Sequence, residues 1–421
     1  MQEISIETNG NRIEVLGTIS GRTYKRLLAA IHAVTTKAGY SEVRLSMTRV
    51  SAAFPAPMLS ICAQLIALRE AGIYCELDPP EDARLRNLFS NANWAHLIDP
   101  RRHDTSRFRG RSRLPATTFR SAAEQQTVVN QIVSTLLESM PGIERSQFAA
   151  FEWAVNEVTD NVLIHSGSRV GGLVQVSMFD RAQQIVEFDV CDPGLGIPAT
   201  LREGYDEIRS DSEALDRAIR EGITRDKQVG QGNGLYGSYQ ICALSKGAFQ
   251  LHSGYASLMH SEKDGLHVYP EQIPFSGTLV IGRINFSAKG LLENALKFGG
   301  RPFIPVDYIG THYEDGDGQT LVFRLFEEVS SFGSRISGAP LRHKLRNLLA
   351  MSQKQCILID FEGVPILSSS FADEVFGKLF VELGPLQFGA RVRFQNVPSL
   401  IANLIEKAIL QRSADSVARR G

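Results

Sequence analysis

The sequence lacks the features that mark secreted proteins, membrane-spanning proteins and proteins with a cysteine-based zinc site. Its five cysteines are scattered along 421 residues, and none forms a CxxC pair, so the ligand spacing of a zinc site is absent. No uninterrupted apolar run approaches the roughly 20 residues that span a bilayer. The start, MQEISIETNG, has neither the basic nor the apolar region of a signal peptide. We therefore expect a cytoplasmic protein with reduced thiols and no membrane contact.

The chain also lacks a strong net charge. Its 45 Lys and Arg residues stand against 46 Asp and Glu residues, for a net charge of −1, so no overall field favours nucleic acid. An arginine-rich stretch, DPRRHDTSRFRGRSRLPATTFR, begins at Asp99, but neither aromatic interleaving nor a nucleic-acid motif accompanies it. We interpret residues 99–120 as a solvated linker and do not expect nucleic acid as a partner.

What is present is an ordinary globular composition with alternating strand and helix patterns. In residues 1–98, RIEVLGTI alternates as a strand does, and TYKRLLAAIHAV has helical spacing. Residues 121–286 contain two long helices, several strands and glycine-rich loops. Residues 287–421 return to strand–helix alternation and end in a basic tail. The pattern predicts an α/β (α+β) protein in which a central two-layer part is flanked by two α/β domains.

The stretch NEVTDNVLIHSG, residues 156–167, places polar residues in a helix with apolar periodicity. Glu157, Asn161 and His165 fall at i, i+4 and i+8, so they share one side of that helix. An asparagine oxygen there can coordinate Mg²⁺, and a carboxylate one turn earlier can deprotonate a hydroxyl or a water. Taken alone, these residues are also consistent with a polar helix face whose side chains are hydrogen-bonded and have no functional role.

A second motif, CDPGLGIP at residues 191–198, directly follows a predicted strand. Asp192 can accept a hydrogen bond from an exocyclic amine. Gly194 and Gly196 would let the backbone come close to a planar base or turn sharply. A plain glycine turn is the alternative that this motif leaves open.

The third motif is GQGNGLYGSYQIC, residues 230–242. Gly230, Gly232 and Gly234 precede an apolar helix that starts near Leu235. Backbone N–H groups at such a helix start hold phosphate oxygens well. The P-loop pattern GxxxxGK[ST] is absent, and the polar lead-in argues against a dinucleotide fingerprint.

In order and spacing, the three motifs resemble the N, G1 and G2 boxes of the GHKL ATPases, the superfamily of gyrase and the histidine kinases. Gly277 and Thr278 resemble the small motif before the last strand, where the threonine backs the adenine-binding aspartate. The Glu-x-x-x-Asn-x-x-x-His pattern is most similar to that of the anti-sigma factor serine kinases. The resemblance covers residues 121–286 and implies a GHKL two-layer α/β sandwich with ATP and Mg²⁺ as cofactors.

The resemblance also implies roles for individual residues. Glu157 would be the catalytic base, and Asn161 would be the Mg²⁺ ligand. Asp192 would contact the adenine amine, and Gly194 and Gly196 would line the base. The other cofactor-binding residues would be His165, Gly230, Gly232, Gly234, Leu235 and Thr278.

The residues between the second and third motifs would form a lid over ATP. We expect the segment from Gly204 to Val229 to close on the phosphates, since its composition is charged and glycine-flanked. Thr224, Arg225 and Lys227 would then lie near the phosphates. A solvated charged loop is the preferred reading for any one of these three taken singly.

The stretch PILSSSFADEVFGKL, residues 365–379, resembles the acceptor turn of a STAS-type domain. Anti-sigma factor antagonists carry Asp-Ser-Ser-Gly there, and Ser369 takes the place of the phosphorylated serine. Ser368 stands where aspartate is usual, and Phe371 stands where glycine is usual. We prefer a helix cap for these serines over a phosphoacceptor, although the two do not exclude each other.

By pattern analogy, residues 1–98 are a second STAS-like domain without an obvious acceptor. The whole chain then predicts an ATP-binding regulator. It would be a Mg²⁺-dependent ATPase switch or an anti-sigma-type serine kinase in partner-switching signalling. The alternative is a non-catalytic ATP-sensing protein whose nucleotide occupancy controls a partner. We expect a protein partner that is a regulator or effector, STAS-like or sigma-factor-like, and a homodimer stays open.

Overall fold

The computed structural model describes residues 4–106, 113–180, 184–223, 232–298, 300–316, 318–329, 331–352 and 354–418. By internal packing the chain divides into two compact units. The first is Met1–Ile132 with Ala150–Ile304, and the second is Val133–Ala149 with Pro305–Gly421. Both units combine helices with sheets, so the predicted α/β class is confirmed.

The first unit opens with a four-stranded α/β layer. Its elements are β1 Ser5–Asn9, β2 Arg12–Ile19, α1 Tyr24–His32, β3 Glu42–Ala53, α2 Pro55–Glu70, β4 Tyr74–Asp78, α3 Ala83–Asn91 and α4 Trp94–Ile98. The strand order is β1-β2-β3-β4, with β2, β3 and β4 parallel and β1 antiparallel at the edge. A π-helical turn, Ala33–Lys37, continues α1.

Helix α2 is the centre of this layer. Pro55 occupies its first turn, where the missing N–H costs no helical hydrogen bond. Nearly every side chain from Ala56 to Ile66 is buried, and a helix that is apolar all round lies inside a core. Accordingly, α2 packs between its own sheet and the next sheet along the chain.

That second sheet has five antiparallel strands in the order β5-β6-β7-β9-β8. The elements of this region are β5 Arg113–Phe119, α5 Ala122–Ser139, α6 Arg145–His165, β6 Gly172–Asp180, β7 Ile185–Asp192, α7 Ile197–Arg202, α8 Asp211–Ala218, α9 Gly234–Leu244, β8 Ala248–Ser261, β9 Gly265–Asn285, α10 Leu291–Ala295, β10 Lys297–Phe298 and β11 Arg301–Pro302.

The segment 99–120, expected to be a linker, ends in a strand. Its end forms β5, which pairs antiparallel with β6. Leu114, Ala116 and Phe119 are buried, so this strand contributes side chains to the core. The prediction of a solvated linker is therefore wrong for residues 113–119.

The two sheets of the first unit share one core. Nε1 of Trp94 on α4 donates to Oε1 of Gln175 on β6 at 3.0 Å. The rings of Tyr24 and Phe275 meet edge-on with centroids 6.0 Å apart. The division predicted between residues 98 and 121 thus separates two sheets inside one compact unit, and the three predicted domain boundaries remain a prediction.

The second unit is a smaller α/β structure. Its further elements are α11 Tyr308–His312, β12 Thr320–Arg324, α12 Leu325–Glu328, α13 Arg335–Met351, β13 Cys356–Asp360, α14 Ser369–Ala372, α15 Lys378–Leu383, α16 Pro385–Arg391, β14 Val392–Gln395 and α17 Ser399–Ala418. The sheet order is β12-β13-β14, all parallel. A π-helical turn, Asp373–Gly377, joins α14 to α15.

In the second unit, polar side chains hold the end of α5 and the start of α6. Nδ2 of the buried Asn347 donates to the carbonyl oxygens of Leu137 and Met140 at 2.7 and 2.6 Å. Arg145 forms two hydrogen bonds with Asp307, at 2.7 and 2.9 Å. These bonds satisfy the last carbonyls of α5 and fix the first residue of α6.

Across the residues that the structure describes, no helix combines the length and the apolar character that a membrane span requires.

Candidate functional site

One face of α6 borders a cavity of about 480 Å³ in the first unit. Glu157, Asn161 and His165 all line it, as the i, i+4, i+8 spacing predicts for a shared helix face. Residues from the other two motifs line the same cavity. The predicted site residues found there are Glu157, Asn161, His165, Asp192, Gly196, Gly232, Gly234, Leu235 and Thr278.

Asp192 ends β7 and lies opposite Thr278 in the pairing of β7 with β9. Its Oδ1 accepts the N–H of Gly194 at 2.8 Å. Burial raises the pKa of Asp192 to about 7, although hydrogen bonds from Gly194 and Thr278 act in the opposite direction. A further N–H donor in the cavity would offset the cost of keeping this buried carboxylate ionised.

The two glycines after Asp192 have different roles. Gly194 is not among the residues that line the cavity. A β-carbon on it would lie 2.2 Å from the carbonyl oxygen of Ser166 and 2.8 Å from Oδ1 of Asp192. Gly194 therefore permits a close turn that holds the aspartate. Gly196 does line the cavity, and its φ of +80° favours glycine.

Glu157 lies where α6 meets the start of α9. A β-carbon on Gly234 would stand 2.2 Å from Oε2 of Glu157, so a larger residue there would force the carboxyl group to move. Burial raises the pKa of Glu157 to about 7, and the negative charge of Asp160 adds to the effect. A carboxyl group that titrates near neutral pH suits the acceptance and release of a proton.

The start of α9 has no side-chain cap. Asn233 occupies the N-cap position without a capping hydrogen bond, and its Oδ1 instead accepts the N–H of Gly222 at 3.1 Å. The first N–H groups of a helix need partners from outside the helix. At this helix they border the cavity, as an anion site requires.

The structure describes residues 204–223 of the segment expected to be a lid. Residues 211–218 form α8, and Asp211 accepts the N–H of Tyr255 and pairs with Arg202, both at 2.7 Å. This part is therefore tied to β8 and α7. The remaining predicted residues, Thr224, Arg225, Lys227 and Gly230, lie outside the described residues.

Three aromatic residues that the motifs do not include also line the cavity. They are Trp153, Phe298 and Phe303. Trp153 stands one helical turn before Glu157, so the same helical spacing could have identified it. Nothing local to the sequence points to the two phenylalanines, which follow the last strand of the sheet.

The described residues contain no group of three or more His, Cys, Asp or Glu side chains that could hold a metal ion. Asn161 offers one amide oxygen to the cavity. Mg²⁺ is commonly held by one or two protein oxygens together with substrate phosphates and waters. The side chains present thus fit a Mg²⁺ ion that arrives with a phosphate ligand.

The serine-rich turn of the second unit caps a helix, as preferred from the sequence. Oγ of Ser368 accepts the N–H of Phe371 at 3.1 Å and contacts Oγ of Ser370 at 2.9 Å. The cap interpretation is confirmed. Ser369 is the first helical residue and is exposed, so its hydroxyl is accessible to a modifying group.

Comparison with known families gives one match. A family described as a STAS-like domain of unknown function (DUF4325) matches residues 337–399. The chain contains a STAS-like domain. This range includes most of α13, β13, the serine turn and β14, and it supports the prediction of a C-terminal STAS-like part. The STAS-like assignment of residues 1–98 stays a prediction. A search of curated proteins found no match.

Proposed function

We propose that the chain is an ATP-binding regulatory protein of the GHKL type, with its nucleotide site in the cavity beside α6. The observation that carries the proposal is the convergence of three separate motifs. Glu157 and Asn161 on α6, Asp192 at the end of β7 and the start of α9 all border one cavity. These are the contacts that the GHKL resemblance expects for a base, a metal ligand, an adenine contact and a phosphate site.

Binding would use different ends of the cavity for different parts of ATP. The carboxylate of Asp192 would accept the exocyclic amine of adenine. The uncapped N–H groups at the start of α9 would receive phosphate oxygens. Mg²⁺, held by Asn161 and the phosphates, would neutralise part of the charge that develops during phosphoryl transfer.

Glu157 would act as the general base. It would take the proton from a hydroxyl or a water, whose oxygen forms a new bond to the γ-phosphorus. The bond from that phosphorus to the bridging oxygen breaks, and its electron pair leaves with ADP. A water acceptor gives an ATPase switch, and a serine acceptor gives an anti-sigma-type protein kinase.

The STAS-like domain supports a regulatory role, in the manner of partner switching. The expected partner is a protein regulator or effector, STAS-like or sigma-factor-like, and self-association into a homodimer is part of the same proposal to be tested. We place the protein in the cytoplasm, where ATP is available and the five free cysteines remain reduced.

Single-turnover mixing of the full chain with γ-labelled ATP and Mg²⁺ tests this proposal. Label on the protein identifies a kinase, and labelled free phosphate identifies an ATPase. Bound nucleotide with neither product identifies the alternative, a non-catalytic ATP sensor. Failure to retain ATP at millimolar concentration, with the chain folded by circular dichroism, would contradict the proposal.

A further inference from the structure

The aromatic side chains at the cavity have no part in the mechanism above. The ring centroids of Trp153 and Phe298 lie 6.2 Å apart, and those of Phe298 and Phe303 lie 6.0 Å apart. Trp153 precedes Glu157 by one turn on α6. These three residues, called the aromatic wall below, line the cavity together with Glu157.

A hydrogen bond and close packing support the aromatic wall from the chain after β9. Leu296 is fully buried, and its carbonyl oxygen accepts the N–H of Phe303 at 2.8 Å. A β-carbon on Gly237 of α9 would lie 2.3 Å from Cη2 of Trp153 and 3.0 Å from Cδ2 of Leu296. Helix α9 therefore packs closely against Trp153 and against Leu296, whose carbonyl oxygen holds Phe303.

We propose that the aromatic wall keeps bulk water away from the carboxyl group of Glu157 and favours a hydroxyl group on a protein segment, rather than water, as the phosphoryl acceptor. Phe298 and Phe303 are then positioning residues, since they act through Glu157. This inference rests on the proposed function, because it names the acceptor class of that same site.

The titration of Glu157 agrees with this arrangement. Loss of hydration is the main cause of its raised pKa, ahead of the charge of Asp160. The other titratable residues that line the cavity are His165 and Asp192.

The exposed residues at the edge of the aromatic wall, Phe303 and Ile304, suit an acceptor segment with an apolar side chain. Phe303 is 44% exposed, and the following Ile304 is 74% exposed. An apolar side chain next to the acceptor hydroxyl would cover both residues. The hydroxyl proton would pass to Glu157, the oxygen would bond to the γ-phosphorus, and ADP would leave with the electron pair of the broken bond.

The titration of Glu157 can be followed in the full chain by ¹³C NMR of labelled glutamate carboxyl groups, with Glu157→Gln assigning the signal. In the wild type we expect a midpoint near 7. Phe298→Ser should lower it by about one pH unit or more, because water reaches the carboxylate. Phe298→Leu, which keeps the wall apolar, should leave it unchanged. An unchanged midpoint in Phe298→Ser would overturn the proposal.

Should Phe298→Ser fail to fold, Phe303→Ser provides the same test at a more exposed position. Phe54→Ser is its matched control, because Phe54 is also 44% exposed and does not line the cavity. With γ-labelled ATP, the wall variants should also shift label from protein to free phosphate severalfold. A wild type that labels no protein, or an unchanged label ratio in the variants, contradicts the acceptor preference. The NMR titration needs no nucleotide, so its outcome is separate from a failure of ATP binding.

Discussion

The carboxyl group of Glu157 lies directly against Gly234, the first residue of α9. A β-carbon on Gly234 would stand 2.2 Å from Oε2 of Glu157 and 3.3 Å from its β-carbon. This relationship joins the polar face of α6 to the uncapped start of α9. It brings a carboxyl group next to a helix terminus, which is the arrangement that the proposed phosphoryl transfer would use.

Gly234→Ala should therefore disable the site without a change of charge. The added methyl group must displace either the Glu157 carboxyl group or the start of α9, and misplacement by about 1 Å can cost on the order of 100-fold in rate. ADP formation at saturating ATP measures the effect. Gly21→Ala is the control, because nothing lies within 4 Å of a β-carbon there. Wild-type turnover in Gly234→Ala would show that the close contact between Gly234 and Glu157 is not needed for catalysis.

Glu157→Gln should keep ATP binding and lower turnover by roughly 10²- to 10⁴-fold, because the amide cannot accept the proton. The wild-type rate should rise with pH through about 7, since the base works only when ionised and its pKa lies there. Stopped-flow turnover between pH 5.5 and 8.5 measures both effects. The exposed Glu70 provides the control variant Glu70→Gln. If Glu157→Gln turned over at the wild-type rate, another group would have to be the base.

Asp192→Asn should stabilise the ligand-free protein above neutral pH. The folded state raises the pKa of Asp192 from 3.8 to about 7, so it binds a proton that the unfolded chain has lost. Stability is therefore highest below the unfolded pKa and falls as the pH rises through about 7. The free energy of unfolding in urea should differ between variant and wild type by on the order of 4 kcal/mol more at pH 8 than at pH 4. If the difference in the free energy of unfolding between variant and wild type did not change with pH, ionisation of Asp192 would not destabilise the folded protein.

Ser369 should carry phosphate if the chain keeps partner-switching chemistry. The residue is exposed at the start of a helical stretch, and added negative charge is favoured there. Mass spectrometry after incubation with ATP and Mg²⁺ should find phosphate on the peptide that contains Ser369. Ser369→Ala should abolish it, whereas Ser370→Ala should retain it. An unmodified peptide alongside free phosphate release would leave the STAS-like domain as a docking module.

Local patterns predicted much of the site. The helical period placed Glu157, Asn161 and His165 on one face, and the structure has them there because that spacing depends only on helix geometry. The serine cap at Ser368 follows from equally local chemistry. The match of residues 337–399 to a STAS-like family agrees with the turn read in PILSSSFADEVFGKL.

Features that depend on distant partners were missed. The strand at residues 113–119 carries few β-branched residues, and its partner β6 lies beyond two helices. Phe298 reaches the cavity only because the chain after β9 folds back against α6 and α9. Gly194 was expected at the base, but it serves the turn that holds Asp192. Such contacts arise from tertiary packing, which a single sequence does not encode locally.

Calorimetric titration of the full chain with ATP and Mg²⁺ tests the central claim most directly. We expect binding in the wild type, preference for ATP over ITP, which lacks the exocyclic amine, and a loss of at least about tenfold in affinity for Asp192→Ala. Asp104→Ala, at an exposed aspartate, should bind as the wild type does. Equal affinity of wild type and Asp192→Ala for ATP, or no binding by either, would contradict the assignment of the cavity as a nucleotide site.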